Sequence, residues 1–447
     1  MSFLPRTLVC LTALLPVASP LFAAEEPVIE RSMLEQQLVH SPLAQSARSD
    51  VQVVEEQRQQ RSAETGWRAF GALNAAALNE IEGEDNRRYD RLQGDIGLRH
   101  PLLGSQRAEQ EAVLDLERLQ LRTQGEADAR IEQLAVDLRK RYADYWLNER
   151  LQQLSEDWLQ TAEPELRKLS AQSGRTVLNS EFAALASTVD QARVDRQQAT
   201  AAREAARRGM EALLGQSISA FQAVWPGSDA ICRSEPDIRN AIWRQDPEIR
   251  ALKAELAVLI EQGGYRFSDE INSNLTLTHS QILEEWDDRG HETSIGLTAE
   301  MPIAVAKAHD HRTAWRNAQI LQLQRRLEVE RQAAVAMIAG TIARLQATSA
   351  ARTATENRLR RAHYTWVESR ERTRASVNTN PLLPLAQSVN WYQTARERLQ
   401  QEAEWLRARA ELEGIRTPEC PPSLATAPET AWLTPLPPTT QPIESPQ

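Results

Sequence analysis

Histidines are the residues of this sequence whose spacing could support metal chemistry, and two pairs of them are candidates. His309 and His311 flank Asp310, but the neighbouring sequence offers no further ligand, so the metal interpretation is disfavoured. His279 and His291 are expected to face each other across a strand hairpin, where histidines are more often rim residues than ligands. We therefore predict no metal, no cofactor and no catalytic group, and no enzyme.

The second histidine pair lies in a stretch that alternates between apolar and polar residues from Tyr265 to Met301, on both sides of an acidic turn at 284–290. A period of two is typical of strands with one apolar face. Pro302 ends the pattern and is suited to the first turn of a following helix. This pattern predicts a β-hairpin, and a hairpin on a soluble helical protein remains an alternative at this point.

The same order of patterns occurs about 200 residues earlier, which indicates an internal repeat. An Ala-rich run and an alternating run around an acidic turn at 82–86 precede Pro101. Pro101 corresponds to Pro302 and Pro42 to Pro247, with offsets of 201 and 205 residues. A repeat of this size predicts a duplicated half of a domain rather than a solenoid unit.

Composition and spacing predict long helices after each hairpin. The 447 residues are 26% charged and 5% aromatic, a balance typical of coiled coils, and the net charge of −10 provides no basic footprint for nucleic acid. After Pro101, apolar residues recur every three or four positions to about residue 172, and Pro164 is predicted to kink or break this helix. The return helix is predicted to begin at Asn179 or Ser180.

The N-terminus has the features of a secretory signal, with Arg6, an apolar region from Leu8 to Leu15 and a plausible cleavage site after Ala23. The sequence divides into a signal peptide (1–23), an N-terminal helix (24–66), a first β-hairpin (67–100), a first long helical hairpin (101–215), a linker (216–240), a helix opening the second repeat (241–264), a second β-hairpin (265–301), a second long helical hairpin (302–415) and a Pro-rich tail predicted to be disordered (416–447).

The order and doubling of these segments resemble the TolC family of outer-membrane efflux proteins over about residues 27–415. The residues that carry the resemblance are Gln245–Arg250, His100–Gly104, Ile295–Leu297 with Met301–Ile303, and the turn at Gly174. The resemblance implies a mainly α fold with a small β part. Long coiled-coil-like helical hairpins would form a periplasmic α-barrel, and four strands per subunit would contribute to a trimeric 12-stranded barrel in the outer membrane.

The resemblance also implies a function and partners. The chain would be a homotrimeric exit duct of a tripartite efflux pump or type I secretion system, working with a periplasmic adaptor and an inner-membrane pump or ABC transporter. Outer-membrane lipid would surround the strands. A periplasmic coiled-coil adaptor or scaffold without a barrel is the alternative, although an adaptor normally has one helical hairpin and this chain has two.

Site residues follow from this resemblance and from the strand patterns. Trp67, Tyr265 and Phe267 are expected near the periplasmic membrane interface, and the tryptophans at 366, 391 and 405 are expected to be packing residues. The place where the family carries gating aspartates holds Pro384 and Gln387 in this sequence. The lipid-facing prediction comprises Ile96, Leu98, Leu275, Leu277, Ile295 and Leu297, and the adaptor-docking tips comprise Gly174, Arg175, Thr176, Asn378 and Thr379.

Cys232 and Cys420 are the only cysteines downstream of the signal sequence. Each follows the return helix of its repeat, so both are expected at a similar height outside the tunnel. An oxidising periplasm then predicts a disulfide between them. Two unpaired thiols on separate segments remain the alternative.

Overall fold

The structure, a computed structural model, describes residues 26–82, 85–171, 179–226, 240, 243–284, 288–375 and 380–413. In this part of the chain, long helices dominate and a small antiparallel sheet lies at one end of them. The predicted fold class, mainly α with a small β part, is confirmed. The predicted signal peptide, the Pro-rich tail, both predicted docking tips and both cysteines lie outside the described residues.

The elements follow the predicted order. The helices are α1 (Arg31–Leu38), α2 (Pro42–Ala63), α3 (Leu103–Ser170), α4 (Asn179–Leu214), α5 (Pro247–Glu261), α6 (Val305–Ala375) and α7 (Leu383–Glu413). The strands are β1 (Val28–Ile29), β2 (Arg68–Glu82), β3 (Asp85–Leu102), β4 (Gln222–Ala223), β5 (Asn272–Glu284) and β6 (Asp288–Glu300), with a 3-10 helix at Phe267–Glu270.

The repeat is visible at the starts of α2 and α5. The Ser41 hydroxyl accepts a hydrogen bond from the Ala44 N–H at 3.2 Å, and the Asp246 carboxylate accepts one from the Ile249 N–H at 2.9 Å. In both cases proline occupies the next position, where the helix needs no N–H donor. The N-terminal helix predicted over 24–66 is therefore divided in two, because α1 ends at Leu38 and α2 begins at Pro42.

Helix α3 is the central element of the described chain. Its 68 residues span about 100 Å and pack against α4, α2, α7 and α5. Pro164, predicted to kink or break this helix, does not break it, because α3 continues through this residue. Ala162 and Leu169 are buried on either side of Pro164, and their packing holds the helix across the missing hydrogen bond.

The predicted strand start at Tyr265 was wrong. A 3-10 turn occupies Phe267–Glu270, and β5 begins at Asn272. The Asp269 carboxylate accepts a hydrogen bond from the backbone N–H of Arg266 at 2.8 Å. Such a local side-chain bond to the backbone favours a turn over an extended strand, whatever the apolar alternation.

The antiparallel sheet has the strand order β2-β3-β5-β6. Pairing of β3 with β5 runs from Arg91 opposite Glu284 to Leu102 opposite Ser273, and it joins the two repeats directly. The helices leave the sheet at one end, and both hairpin turns lie at the other.

No helix among the described residues has the length and apolar character needed to cross a bilayer.

Candidate membrane-facing sheet

The six residues predicted to face lipid share one face of the sheet. Directly opposite residues in a ladder lie on the same face. Leu98, Leu277 and Ile295 form one row across three strands, and Leu275 is opposite Leu297 in the next. Ile96 lies two residues from Leu98 on the same strand, hence on the same face. Ile295 is 77% exposed and Leu297 68% exposed in the single chain.

The opposite face is polar in its centre. Asp95 accepts hydrogen bonds from the side-chain amides of Gln93, at 2.7 Å, and Asn74, at 3.3 Å. The register brings Ser280 opposite Asp95, and Thr276 and Thr278 follow on the same face. This face therefore suits contact with water, whereas the first suits contact with an apolar medium.

Strand β2 is less clearly divided between the faces. Its Ala69, Gly71 and Leu73 lie on the apolar face, but Phe70 and Ala72 lie on the opposite one. Phe70 stacks with the Arg99 guanidinium, whose carbon is 5.4 Å from the ring centroid. Small residues on both sides explain why the sequence of β2 shows little alternation.

The two outer strands leave their far edges without a strand partner among the described residues. Strands β2 and β6 each pair with only one neighbour in the four-stranded sheet. Their 15 and 13 residues present rows of unpaired backbone groups, which favour pairing with another strand.

The sheet is fixed to the helices where β3 passes into α3. Gly104 donates a backbone hydrogen bond to the Ile271 carbonyl at 2.9 Å, and a side chain at this position would overlap the Asp269 carbonyl. Next to it, guanidiniums of Arg107, Arg312 and Arg316 surround the Tyr265 ring at 5.4–5.6 Å. Tyr265 therefore lies half-buried at this junction. Trp67 and Phe267 are exposed at the same end of the sheet.

Two tyrosines of α3 clamp the inter-repeat linker, a contact that the sequence analysis missed. Tyr142 donates to the Ile29 carbonyl at 2.7 Å and accepts from the Val224 N–H at 2.9 Å, so it joins β1 to the segment after β4. Tyr145 stacks on Phe221 with the centroids 4.2 Å apart. Both tyrosines are buried, and buried tyrosine hydroxyls usually find a hydrogen-bond partner, which is the signal in the sequence that could have indicated this contact.

The remaining predicted positions are described in part. Trp366, Trp391 and Trp405 are buried in the main core cluster, so their packing role is confirmed. Pro384 and Gln387 are half-buried in the first turns of α7. The tip residues Gly174, Arg175, Thr176, Asn378 and Thr379 and the cysteines Cys232 and Cys420 lie outside the described residues.

The first histidine pair is not brought together as a metal site. His309 is half-buried with its Nδ1 3.9 Å from Glu270, while His311 and Asp310 are exposed. Within the described ranges, no three His, Cys, Asp or Glu side chains converge on one point.

This chain resembles known proteins in structure rather than in sequence. No family model and no curated protein matches the sequence. Solved structures do match: the outer-membrane channel OprN has a TM-score of 0.72 and 13% identity, with 86% of this chain and 89% of that chain covered. The chain has the fold of outer-membrane channel proteins. The structural resemblance to the TolC family is thereby confirmed at the level of the fold.

Two further structures agree. CusC, whose transmembrane channel formation has been studied, has a TM-score of 0.70 and 14% identity, with 86% of this chain and 91% of that chain covered. The outer-membrane protein VceC of Vibrio cholerae has a TM-score of 0.65 and 13% identity, with 86% and 95% covered. The likeness extends over nearly the full length of these channels, including both the sheet and the helices.

Proposed function

We propose that the chain is an outer-membrane exit duct, in which the sheet spans the membrane and the helices form a periplasmic tunnel. The single observation that carries the proposal is the sheet with one apolar and one polar face, attached to helices of about 100 Å. In a barrel wall, such a sheet would turn the apolar face to lipid and the polar face to a water-filled lumen.

We propose a homotrimer as the working form. Four strands are too few to enclose a lumen, and unpaired strand edges are not tolerated in lipid. The free edges of β2 and β6 support closure by neighbouring copies. Three copies would supply twelve strands, an even number as in bacterial barrels generally.

We propose efflux or type I secretion as the pathway, with a periplasmic adaptor and an inner-membrane pump or ABC transporter as partners. Helices α3 and α6 end, and helices α4 and α7 begin, remote from the sheet, and this arrangement supports Gly174–Thr176 and Asn378–Thr379 as docking tips. Such a duct conducts substrates and catalyses no reaction. The alternative of an adaptor without a barrel is disfavoured by the amphipathic four-stranded sheet.

The test of the duct is its location and assembly in a Gram-negative cell. We expect the chain in the outer-membrane fraction and a band in unheated gels that shifts to the monomer position on boiling. Recovery of the folded chain in the soluble periplasmic fraction as a monomer would favour the adaptor alternative and contradict the duct.

The docking proposal has a separate test. Replacing Gly174, Arg175 and Thr176 by glutamates should abolish export while trimers remain in the membrane. Glutamate substitutions at the exposed Ser49 and Gln52 of α2, far from the tips, serve as the control. Normal export by the tip variant, with the adaptor present, would contradict docking at this place.

We also propose the disulfide between Cys232 and Cys420, now with structural support. Trp225, the linker residue seven positions before Cys232, stacks on Trp405 of α7 with centroids 6.3 Å apart. Glu413, seven positions before Cys420, forms an ion pair with Arg31 at 2.7 Å, next to the β1 strand that pairs with β4. Trp225 and Glu413, each seven positions before a cysteine, are therefore anchored in the same region, which supports the bridge. Recovery of both cysteine peptides as free thiols from protein alkylated in the cell would contradict the bridge.

A further inference from the structure

The apolar face of the second hairpin changes character toward its turn. Rows Leu275–Leu297 and Leu277–Ile295 are apolar, but the next two rows pair His279 with Thr293 and Gln281 with His291. Four contiguous polar side chains, two of them imidazoles, therefore follow the two apolar rows of this hairpin.

The register brings the two imidazoles together. His279 and His291 lie diagonally across neighbouring strands on the same face, with ring centroids 6.4 Å apart and ring planes inclined by 40°. Ring nitrogens lie at the periphery of each ring. One ion about 2.0–2.1 Å from a nitrogen of each imidazole fits between them after a small change of rotamer.

A neighbouring hydroxyl orients the first imidazole. The Nδ1 of His279 is 2.9 Å from the Thr293 Oγ1, which leaves Nε2 free. Metal-ligating histidines generally use one ring nitrogen for the metal and the other for such a hydrogen bond, which fixes the ring. The hydrogen bond to Thr293 therefore restrains the His279 ring, as such bonds do for metal-ligating histidines.

A groove borders His279. It has a volume of about 470 Å³ and is lined by His279 and Gln281 together with Gly71 and Gly94 of the neighbouring strands. His279 and His291 are exposed. Gln281, which lines the groove, is three residues from the end of β5, about 10 Å along the strand.

We propose that His279 and His291, with the side-chain oxygen of Gln281 as a third ligand, bind a divalent transition-metal ion such as Zn²⁺ on the apolar face of the β5–β6 hairpin. Two imidazoles with one amide oxygen and water suit zinc, copper or nickel, whereas magnesium requires an oxygen-rich octahedral site. The bound ion cross-links β5 to β6 near their turn. The strand register and the side chains of a single chain form the site, so it does not rest on the proposed duct.

Titration of the untagged full-length protein, purified in detergent, with Zn²⁺ tests the site by calorimetry. We expect one saturable site per chain, and His279→Ala and His291→Ala should each weaken binding by about tenfold or more. His100→Ala is the matched control, because His100 lies on the same face opposite Leu275, without a histidine partner. Binding by both variants equal to that of the wild type, or no saturable binding by the folded wild type, would overturn the proposal.

Two further measurements keep the test decisive if a variant folds poorly. In the wild type, Zn²⁺ should protect His279 and His291, but not the exposed His311, from modification by diethyl pyrocarbonate; equal modification of all three would overturn the site. Thr293→Val keeps the branched side chain and removes the hydroxyl, so we expect zinc affinity to fall about tenfold through loss of ring orientation. An unchanged affinity would overturn the orienting role of Thr293.

Discussion

The two halves of the chain repeat the same order of elements, but their long helices are packed differently. Helix α3 contacts partners on several sides, and of its large apolar residues only Leu119 and Leu103 are exposed by more than a third. Helix α6 packs mainly on α7 and α5. Its exposed large apolar side chains are Trp315, Leu321, Val329, Met337 and Tyr364.

This difference shows that the two copies of the repeat occupy different environments within the subunit. The long helix of the first half lies in the buried interior of the subunit, and that of the second half lies at its surface. In the proposed trimer, the exposed side of α6 is the one that a neighbouring copy covers, together with the free edge of β6. Burial of apolar residues in the first half should therefore stabilise the subunit, and burial in the second half should stabilise the assembly.

The largest contrast is expected between two tryptophans. Trp158 of α3 is fully buried, stacks on Tyr392 at 4.6 Å and donates to the Ser388 hydroxyl at 3.3 Å. Trp158→Ala should lower the free energy of unfolding by about 3–5 kcal/mol. Trp315→Ala on α6, where the side chain is 56% exposed, should leave subunit unfolding nearly unchanged.

Denaturant unfolding followed by circular dichroism measures the first effect, and the temperature at which trimers dissociate in gels measures the second. We expect Trp315→Ala to lower only the dissociation temperature. A loss of subunit stability as large as that of Trp158→Ala would contradict the comparison.

The second contrast lies within the sheet. Arginine at Leu297 on the apolar face should destabilise the barrel by about 2–4 kcal/mol if the site is near the membrane midplane. Arginine at Thr298, the next residue on the polar face, should cost much less, because the polar face contacts water in the proposed lumen. The amount of heat-modifiable trimer in the outer-membrane fraction measures both, and equal tolerance of the two substitutions would contradict the assignment of faces.

The sequence predicted those parts of the fold that depend on local patterns. Alternation predicted β3, β5 and β6, and the correspondence of Pro42 with Pro247 indicated the repeat, although the helix starts at these prolines were not predicted. Tertiary packing decided the rest. The helix continues through Pro164 because buried neighbours hold it, and the 3-10 turn before β5 depends on one carboxylate, that of Asp269.

The candidate site shows the same division. Shared-face placement of the six apolar residues followed from alternation, whereas strand β2, with small residues on both faces, carried no such signal. The pairing of His279 with Thr293 depends on the register of two strands across a turn. Partners of the Tyr142 hydroxyl come from residues more than 80 positions away on either side, and no local pattern identifies them.

The third contrast concerns glycines within the two long helices. A methyl group on Gly125 of α3 would overlap the Cβ of Ala251 on α5 and lie 3.2 Å from the Pro247 carbonyl oxygen. Gly125→Ala should therefore cost about 1–3 kcal/mol through overpacking. Gly340 of α6 has no atom near the place of a methyl group, so Gly340→Ala should stabilise by about 0.4–1 kcal/mol. Denaturant midpoints measure both changes, and stabilisation by both substitutions would contradict the close approach of α3 and α5.

The smallest effect is expected at the linker clamp of the first half, as a pH dependence. Burial raises the pKa of the Glu149 carboxyl, against the opposing effects of the hydrogen bond from the Ala223 N–H, at 3.0 Å, and of Arg203, 3.5 Å away. The folded protein therefore holds this proton at pH values where the unfolded chain has lost it. The resulting stability is fully present below the unfolded pKa, about 4.3, and is lost as the pH rises through the folded pKa.

Glu149→Gln tests this sign, because the amide oxygen can still accept from Ala223 but carries no charge at any pH. Thermal unfolding from about pH 4 to 7 should show that the wild type loses more stability than the variant as the pH rises through the window above the ordinary glutamate pKa. Glu371→Gln, at an exposed position of α6, should follow the wild type. Parallel curves for the wild type and Glu149→Gln would mean that Arg203 and the linker N–H fully offset burial, and that the clamp of the first half is insensitive to pH.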